Sequence, residues 1–272
     1  MSQFKPRKYI APKTAARPAV KSSWEKVGKW YSGLVGDEGH YYHRTVVLPG
    51  VLKLLKLKES AHSRLLDVGC GEGVLARVLP EEVAYCGIDA SKMLIEAAKD
   101  KNMRNAIFKI ADATKPFPVE KNHFSHATII LALQNMPHPE KVFKNIAASL
   151  NKKGRLVIVL NHPCFRVMRG SDWSVDRDAM VQYRRISNYM GEKRISIQLN
   201  PSKGELSKVT YSYHYPLTTL FKALAESGFV IDALEEWCSD KKSTGKMARV
   251  EDFARDEIPL FMAISAIKSS EE

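Results

Sequence analysis

The sequence predicts an α/β fold: a three-layer sandwich on a mostly parallel seven-stranded sheet, with an α+β cap inserted after the fifth strand. Three observations predict it. Short apolar runs alternate with amphipathic segments from residue 64 to residue 160, the rhythm of a parallel sheet with helices on both faces. The run at 126–131 is nearly all apolar, as suits a strand covered on both sides. The alternation then fails between Asn161 and Pro216, where two strand-like segments face each other across a Pro- and Gly-containing turn.

The elements follow in order. Residues 1–21 are basic and rich in Pro and Ala, with few large apolar groups, and read as a disordered tail. Ser22 and Glu25 have capping-box spacing, and Trp24, Val27, Tyr31 and Leu34 follow at helical intervals. A second helical pattern covers 41–57, with Pro49 and Gly50 placed to kink it. Strands are expected at 64–68, 84–89, 106–111, 126–131 and 155–160. Helices are expected at 73–80, 92–100 (capped by Ser91) and 139–150. Residues 194–199 and 209–215 read as a hairpin inside the insertion. A helix at 217–227 closes at Gly228, and strands at 229–237 and 261–267 complete the sheet. The domain reading is a tail at 1–21, N-terminal helices at 22–59, and a main domain at 60–272 whose cap covers about 163–215.

The chain is organised around Asp67-Val68-Gly69-Cys70-Gly71-Glu72-Gly73. A strand turning into a helix over glycines brings backbone N–H groups and a positive helix end close to a ligand. No Gly-Lys-Ser/Thr follows, so a phosphate-binding loop is excluded, and the glycine spacing is not that of the dinucleotide fingerprint. In open α/β sheets ligands sit at the carboxyl ends of the strands. Those ends here are Asp67, Asp89, Asp112, Leu131 and Asn161. Asp89 stands 22 residues after Asp67, where an acid can accept ribose hydroxyls, in an NAD protein as well as here.

The Asp-x-Gly-x-Gly-x-Gly spacing resembles motif I of the class I S-adenosylmethionine (SAM)-dependent methyltransferases, and the chain is similar to their type 11 domain group over roughly residues 60–160. The resemblance implies a Rossmann-like fold and SAM as cofactor, converted to S-adenosylhomocysteine. It implies cofactor contacts from Asp67, Gly69, Cys70 and Gly71 in the turn, Asp89 and Ala90 at the ribose, and Asp112 and Ala113 at the adenine. Met93 and Leu131 would supply apolar packing. N-terminal helices in this superfamily often close over the cofactor, which implicates Tyr31 and Arg44. Many small-molecule members carry His where Gln134 or Asn135 stands, so no catalytic role transfers to that spot.

The acceptor side is read from the residues alone. His162 follows the fifth strand and has a side chain suited to proton transfer near neutral pH; ordering of its loop is the competing reading. Arg166 is placed to meet an anionic acceptor or, less readily, the carboxylate of SAM. The cap holds Trp173, Tyr183, Arg184, Arg185, Tyr189, Tyr211, Tyr213 and His214, which either grip a substrate or form a small core. Tyr183 and His214 are the further catalytic candidates. No metal is expected.

Of the net charge of +12, residues 1–30 supply +7, from eight basic residues against Glu25. Such a tail suits nucleic acid, or simply solvation, which is the favoured reading. The four widely spaced cysteines match no zinc pattern and read as reduced cytoplasmic thiols. No apolar run is long enough to cross a membrane and no signal segment stands at the start, so no membrane partner is expected. Three functions remain: a methyltransferase placing a methyl on O or N (less readily C) of a small molecule, a nucleic-acid methyltransferase, and a non-catalytic SAM-binding module. The first is preferred, because neither an Asp/Asn-Pro-Pro-aromatic tetrad nor a Pro-Cys pair follows the fourth strand.

Overall fold

The computed structural model describes residues 40–57, 63–198 and 209–270. Seven strands form one sheet, in the order β10-β11-β5-β4-β1-β2-β3. They are β1 (Arg64–Val68), β2 (Ala84–Asp89), β3 (Ala106–Ile110), β4 (Phe124–Ile130), β5 (Leu150–Asn161), β10 (Phe229–Trp237) and β11 (Phe261–Lys268). The first five run parallel, and β11 enters antiparallel between β5 and β10.

Alternation along the strands builds two cores. Leu66, Ile129, Leu156 and Ile158 face α3 (Pro139–Ser149) and α4 (Leu217–Glu226). Their neighbours Leu65, Val157 and Val159 face α1 (Leu48–Leu55) and α2 (Lys92–Asp100). A one-residue slip in any of these strands would exchange the two faces, so the register is strongly fixed. Ser91 caps α2 by accepting from the Leu94 N–H at 3.4 Å. Gly228 ends the turn after α4 with φ +79°, a conformation glycine adopts without strain.

Three expectations change. The helix at 73–80 is only a 3₁₀ turn, Leu75–Arg77. Gly73 lies at φ +72° and Pro80 closes the segment, leaving six residues, two of them valine, to bear the cost of helix nucleation. Residues 238–258, too polar to suggest an element, contain α5 (Ala248–Glu257), which lies against the cap strand β7. The described cap consists of two hairpins. The second, β8 (Lys193–Gln198) with β9 (Val209–His214), is the expected one. The first, β6 (Ser171–Asp176) with β7 (Val181–Ile186), is unannounced because its strands are largely exposed and their alternation, Trp173/Val175 and Val181/Tyr183, is only two apolar residues long in each. The segment ahead of α1 begins with a π-helical turn, His43–Val47. The capping box at Ser22 and Glu25, and the tail before it, lie outside the described residues.

Candidate active site

The strand order reverses between β4 and β1, so their carboxyl ends open a crevice flanked by the tips of β2 and β5. The glycine turn enters this crevice from β1. Gly69 and Gly71 have φ +76° and +54°. A Cβ on Gly69 would lie 2.5 Å from Ala132 Cβ and 2.8 Å from Met136 Cε, so the turn packs directly on the chain leaving β4.

The turn's own N–H groups are largely occupied. Gly69 and Cys70 both donate to the Ile88 carbonyl, at 2.8 and 3.1 Å, and Gly73 donates to Cys70 at 2.9 Å. Gly71 donates to the Asp89 carboxylate at 3.1 Å. The expectation of donors and a helix end aimed at a ligand is therefore corrected. The turn offers a surface free of side chains, with an acid beside it. A pyrophosphate would find few donors there and would face the Asp89 charge.

Asp67 is 3% exposed and does not reach the crevice. Tyr85 donates to one of its oxygens at 2.7 Å and Thr128 to the other at 2.8 Å. Desolvation raises its pKa to about 6 even against these two bonds. It anchors β1 to β2 and β4 beneath the turn, an ordering role for this acid. Thr128 stands directly opposite Asp67 in the β1–β4 register, a partner that sequence spacing alone could not reveal.

Asp89 and Asp112 are differently placed. Asp89 accepts from Gly71 and, at 2.8 Å, from the Ser91 N–H, one bond on each oxygen. Asp112 is exposed, and its Oδ1 accepts from the Thr114 N–H and hydroxyl at 2.9 and 2.7 Å. Ala113 is buried beside it, and Cys70 is buried with its thiol pKa pushed up by desolvation. Ala90 is exposed and Met93 half-buried at the start of α2. Leu131, half-buried at the tip of β4, is held at φ +50° by its N–H bond to Val159 (2.8 Å) and by Gln134, which donates to its carbonyl at 2.8 Å. Such a conformation is costly for a leucine and marks the tip as built rather than relaxed. Arg44 lines a separate groove with Leu48, Leu52, Val74 and Val78, apart from the aspartate tips. Tyr31 lies outside the described residues.

A narrow cleft of about 50 Å³ lies between the tips of β4 and β5 and the second cap hairpin. His214 lines it and donates through Nε2 to the Tyr189 carbonyl at 2.6 Å, which leaves Nδ1 as the lone-pair nitrogen. Burial lowers its pKa, so the ring is neutral at pH 7. His162 is different: Nε2 meets Glu236 at 2.7 Å and Nδ1 accepts the Cys164 N–H at 3.2 Å. Both nitrogens are occupied and the ring is 3% exposed, so its expected role as base gives way to loop ordering. Tyr183 is 43% exposed on β7 and does not line the cleft. Gln134, Asn161 and Ser212 do line it; Asn161 was expected at a strand tip, whereas nothing in the sequence pointed to Ser212.

Among the described residues no group of three or more metal-ligating side chains gathers, and no helix is long and apolar enough to cross a membrane. The four cysteines form no disulfide with one another.

Known proteins share this architecture. A family model described as "Methyltransferase domain" matches residues 39–234. The ubiquinone biosynthesis O-methyltransferase of Coxiella burnetii is 31% identical over 96 residues, 34% of this chain and 41% of that protein. The 18S rRNA (guanine-N(7))-methyltransferase of Mus musculus is 33% identical over 92 residues, 34% of this chain and 32% of that protein. This chain thus spans well under half the length of either relative. The crystal structure of an S-adenosylmethionine-dependent methyltransferase from Mesorhizobium loti has the same fold, with TM-score 0.64 and 24% identity, over 80% of this chain and 96% of that one. A family match covering more than half of the chain, on a sheet whose strand order and acidic tips were already in place, shows that it belongs to the SAM-dependent methyltransferases of the Rossmann-like class I type.

Proposed function

We propose that this protein transfers a methyl group from SAM to an oxygen or nitrogen of a small-molecule acceptor held under the cap. The observation that carries this is the cleft at the tips of β4 and β5, roofed by β9 and lined by a neutral histidine, on the chain leaving β4 whose Ala132 and Met136 pack on the glycine turn. The residues fit SAM. The glycine surface admits a ligand without phosphates, the Asp89 carboxylate stands beside it to accept ribose hydroxyls, and Asp112 Oδ2 is open to an adenine amino group. Gly69, Cys70 and Gly71 form the floor. Ala90, Met93, Ala113 and Leu131 supply apolar walls. The hairpins β6–β7 and β8–β9 form the substrate cap.

When bound, SAM supplies a methyl on a sulfonium, open to in-line displacement. The protein holds the acceptor in line and keeps water out, and the cap over the strand tips serves both ends. For a hydroxyl acceptor, His214 Nδ1 takes the proton, and Tyr189 fixes the ring through Nε2. His162 positions the loop that leads to Arg166. Nucleic acid as acceptor is the second reading. It is favoured by the +7 carried on residues 1–30 and by the partial likeness to an rRNA methyltransferase.

The test is transfer of labelled methyl from SAM into a cell extract, separated by size and treated with nuclease. Label in low-mass, nuclease-resistant product is expected. Label confined to RNA would establish the second reading. SAM binding without labelled product would leave the chain a non-catalytic SAM-binding module.

A further inference from the structure

We propose that the cleft beneath the cap selects an acceptor bearing an oxyanion, a carboxylate or a phosphate, which Arg166 receives beside a hydrogen-bond donor taken by Gln134. The inference rests on reading this cleft as the acceptor site.

Arg166 carries it. The other partly buried arginines at ion-pairing positions have carboxylates: Arg77 has Glu72, Arg155 has Asp232, and Arg255 has Glu251 and Asp252. Arg184, nearby, donates to the Phe165 carbonyl at 2.9 Å and the Ser171 hydroxyl at 2.9 Å. Arg166 has no carboxylate within ion-pair distance among the described residues, and its Nε is buried with no acceptor. Its guanidinium lies 5.2 Å from the centre of the Trp173 ring, with Arg184 also stacked on that ring at 5.1 Å. Burial and the second arginine lower its pKa to about 10, which leaves it charged at pH 7. A desolvated guanidinium with an empty donor edge and a like charge beside it is unfavourable until an anion arrives. The Nε edge of a guanidinium matches a carboxylate or phosphate in a two-bond fork.

Gln134 is the complement. Its amide is oriented by the bond from Nε2 to the Leu131 carbonyl, which demands a donor, so the amide cannot be flipped. Oε1 is then an acceptor, buried and without a partner. Both side chains line the same cleft, Gln134 from the end of β4 and Arg166 from the loop after β5. The wall between them includes Leu133, Leu160 and Met168. One unpartnered donor and one unpartnered acceptor on two side chains of the same cleft, both reached as those side chains turn toward it, describe a ligand with an anion at one point and an N–H or O–H at another.

The test is calorimetric binding of three probes of similar size to the full chain, in the presence and absence of S-adenosylhomocysteine. The probes are 4-hydroxyphenylacetate, phenyl phosphate and the neutral 4-hydroxyphenylacetamide. At least one anionic probe should bind tenfold or more tightly than the amide, and which of the two does so separates carboxylate from phosphate. Arg166→Gln should abolish that preference, and Gln134→Met should weaken binding of the hydroxyl-bearing probes. Arg166→Lys, which keeps the charge and loses the fork, should retain part of the preference and guards against loss of folding in the first variant. Equal binding of all three probes, no binding by either anion, or an undiminished preference in a folded Arg166→Gln protein would overturn the proposal. Failure to bind S-adenosylhomocysteine with the anion preference intact would count against the cofactor reading and leave the anion site standing.

Discussion

Buried Asp67 and half-buried His43 are groups whose protonation acts on stability in opposite directions. Burial lowers His43 from 6.5 to about 4, so its contribution is present above pH 6.5 and lost as pH falls toward about 4. Burial raises Asp67 from 3.8 to about 6, so its contribution is present below pH 3.8 and lost as pH rises through about 6. The two partly cancel in acid. Asp67→Asn removes one side of the balance. Between pH 7 and pH 4.5 the variant should lose about 2 kcal/mol more stability than the wild type in urea unfolding, each tenfold difference in proton affinity being worth about 1.4 kcal/mol. Parallel pH profiles would refute this. At the same scale, His214→Ala should lower methyl transfer by about 100-fold or more and remove the acid limb of the pH–rate profile. His162→Ala should keep that limb, because its nitrogens are bonded to Glu236 and Cys164. The acids at the strand tips were legible in the sequence because strand ends are. Which acid faces outward was not, because Tyr85 and Thr128 reach Asp67 from other strands.

At the scale of elements, α1 joins the N-terminal segment to the sheet through one close approach. Gly50 sits against the Trp237 ring, and a Cβ there would overlap it. Trp237 is held in turn by its bond from Nε1 to Glu235 at 2.9 Å. Helix propensity alone would make Gly50→Ala stabilising by about 1 kcal/mol. The contact reverses the sign, and a loss of about 1–3 kcal/mol is expected, read as a lower urea midpoint. A raised midpoint would show that α1 does not pack there. Elements with strong periodicity, α2 and β10 among them, were legible to the residue in the sequence. The segment at 73–80 was not, since its apolar pattern suits a helix while Gly73 and Pro80 leave no room for one. The hairpin of β6 and β7 carried only a two-residue alternation in each strand, because it buries little.

The whole molecule places its chemistry by topology. Reversal of the strand order between β1 and β4 brings residues distant in the chain, Asp89, Asp112, Leu131 and Gln134, to one edge of the sheet. The alternation of strands and helices was sufficient to foresee the sheet. The cleft was legible only in part: Asn161, Arg166, Tyr213 and His214 stood out in the sequence, but their gathering with Ser212 and Met168 depends on how the cap folds back on the sheet. The central claim is that the β1–β2 corner, with its occupied N–H groups and the Asp89 carboxylate beside them, holds SAM. Calorimetric titration of SAM into the wild type and Asp89→Ala tests it most directly. Binding by the wild type and a loss of more than about 1.4 kcal/mol, tenfold, in a variant that remains folded is the expected result. Equal affinity for the two proteins would contradict the account.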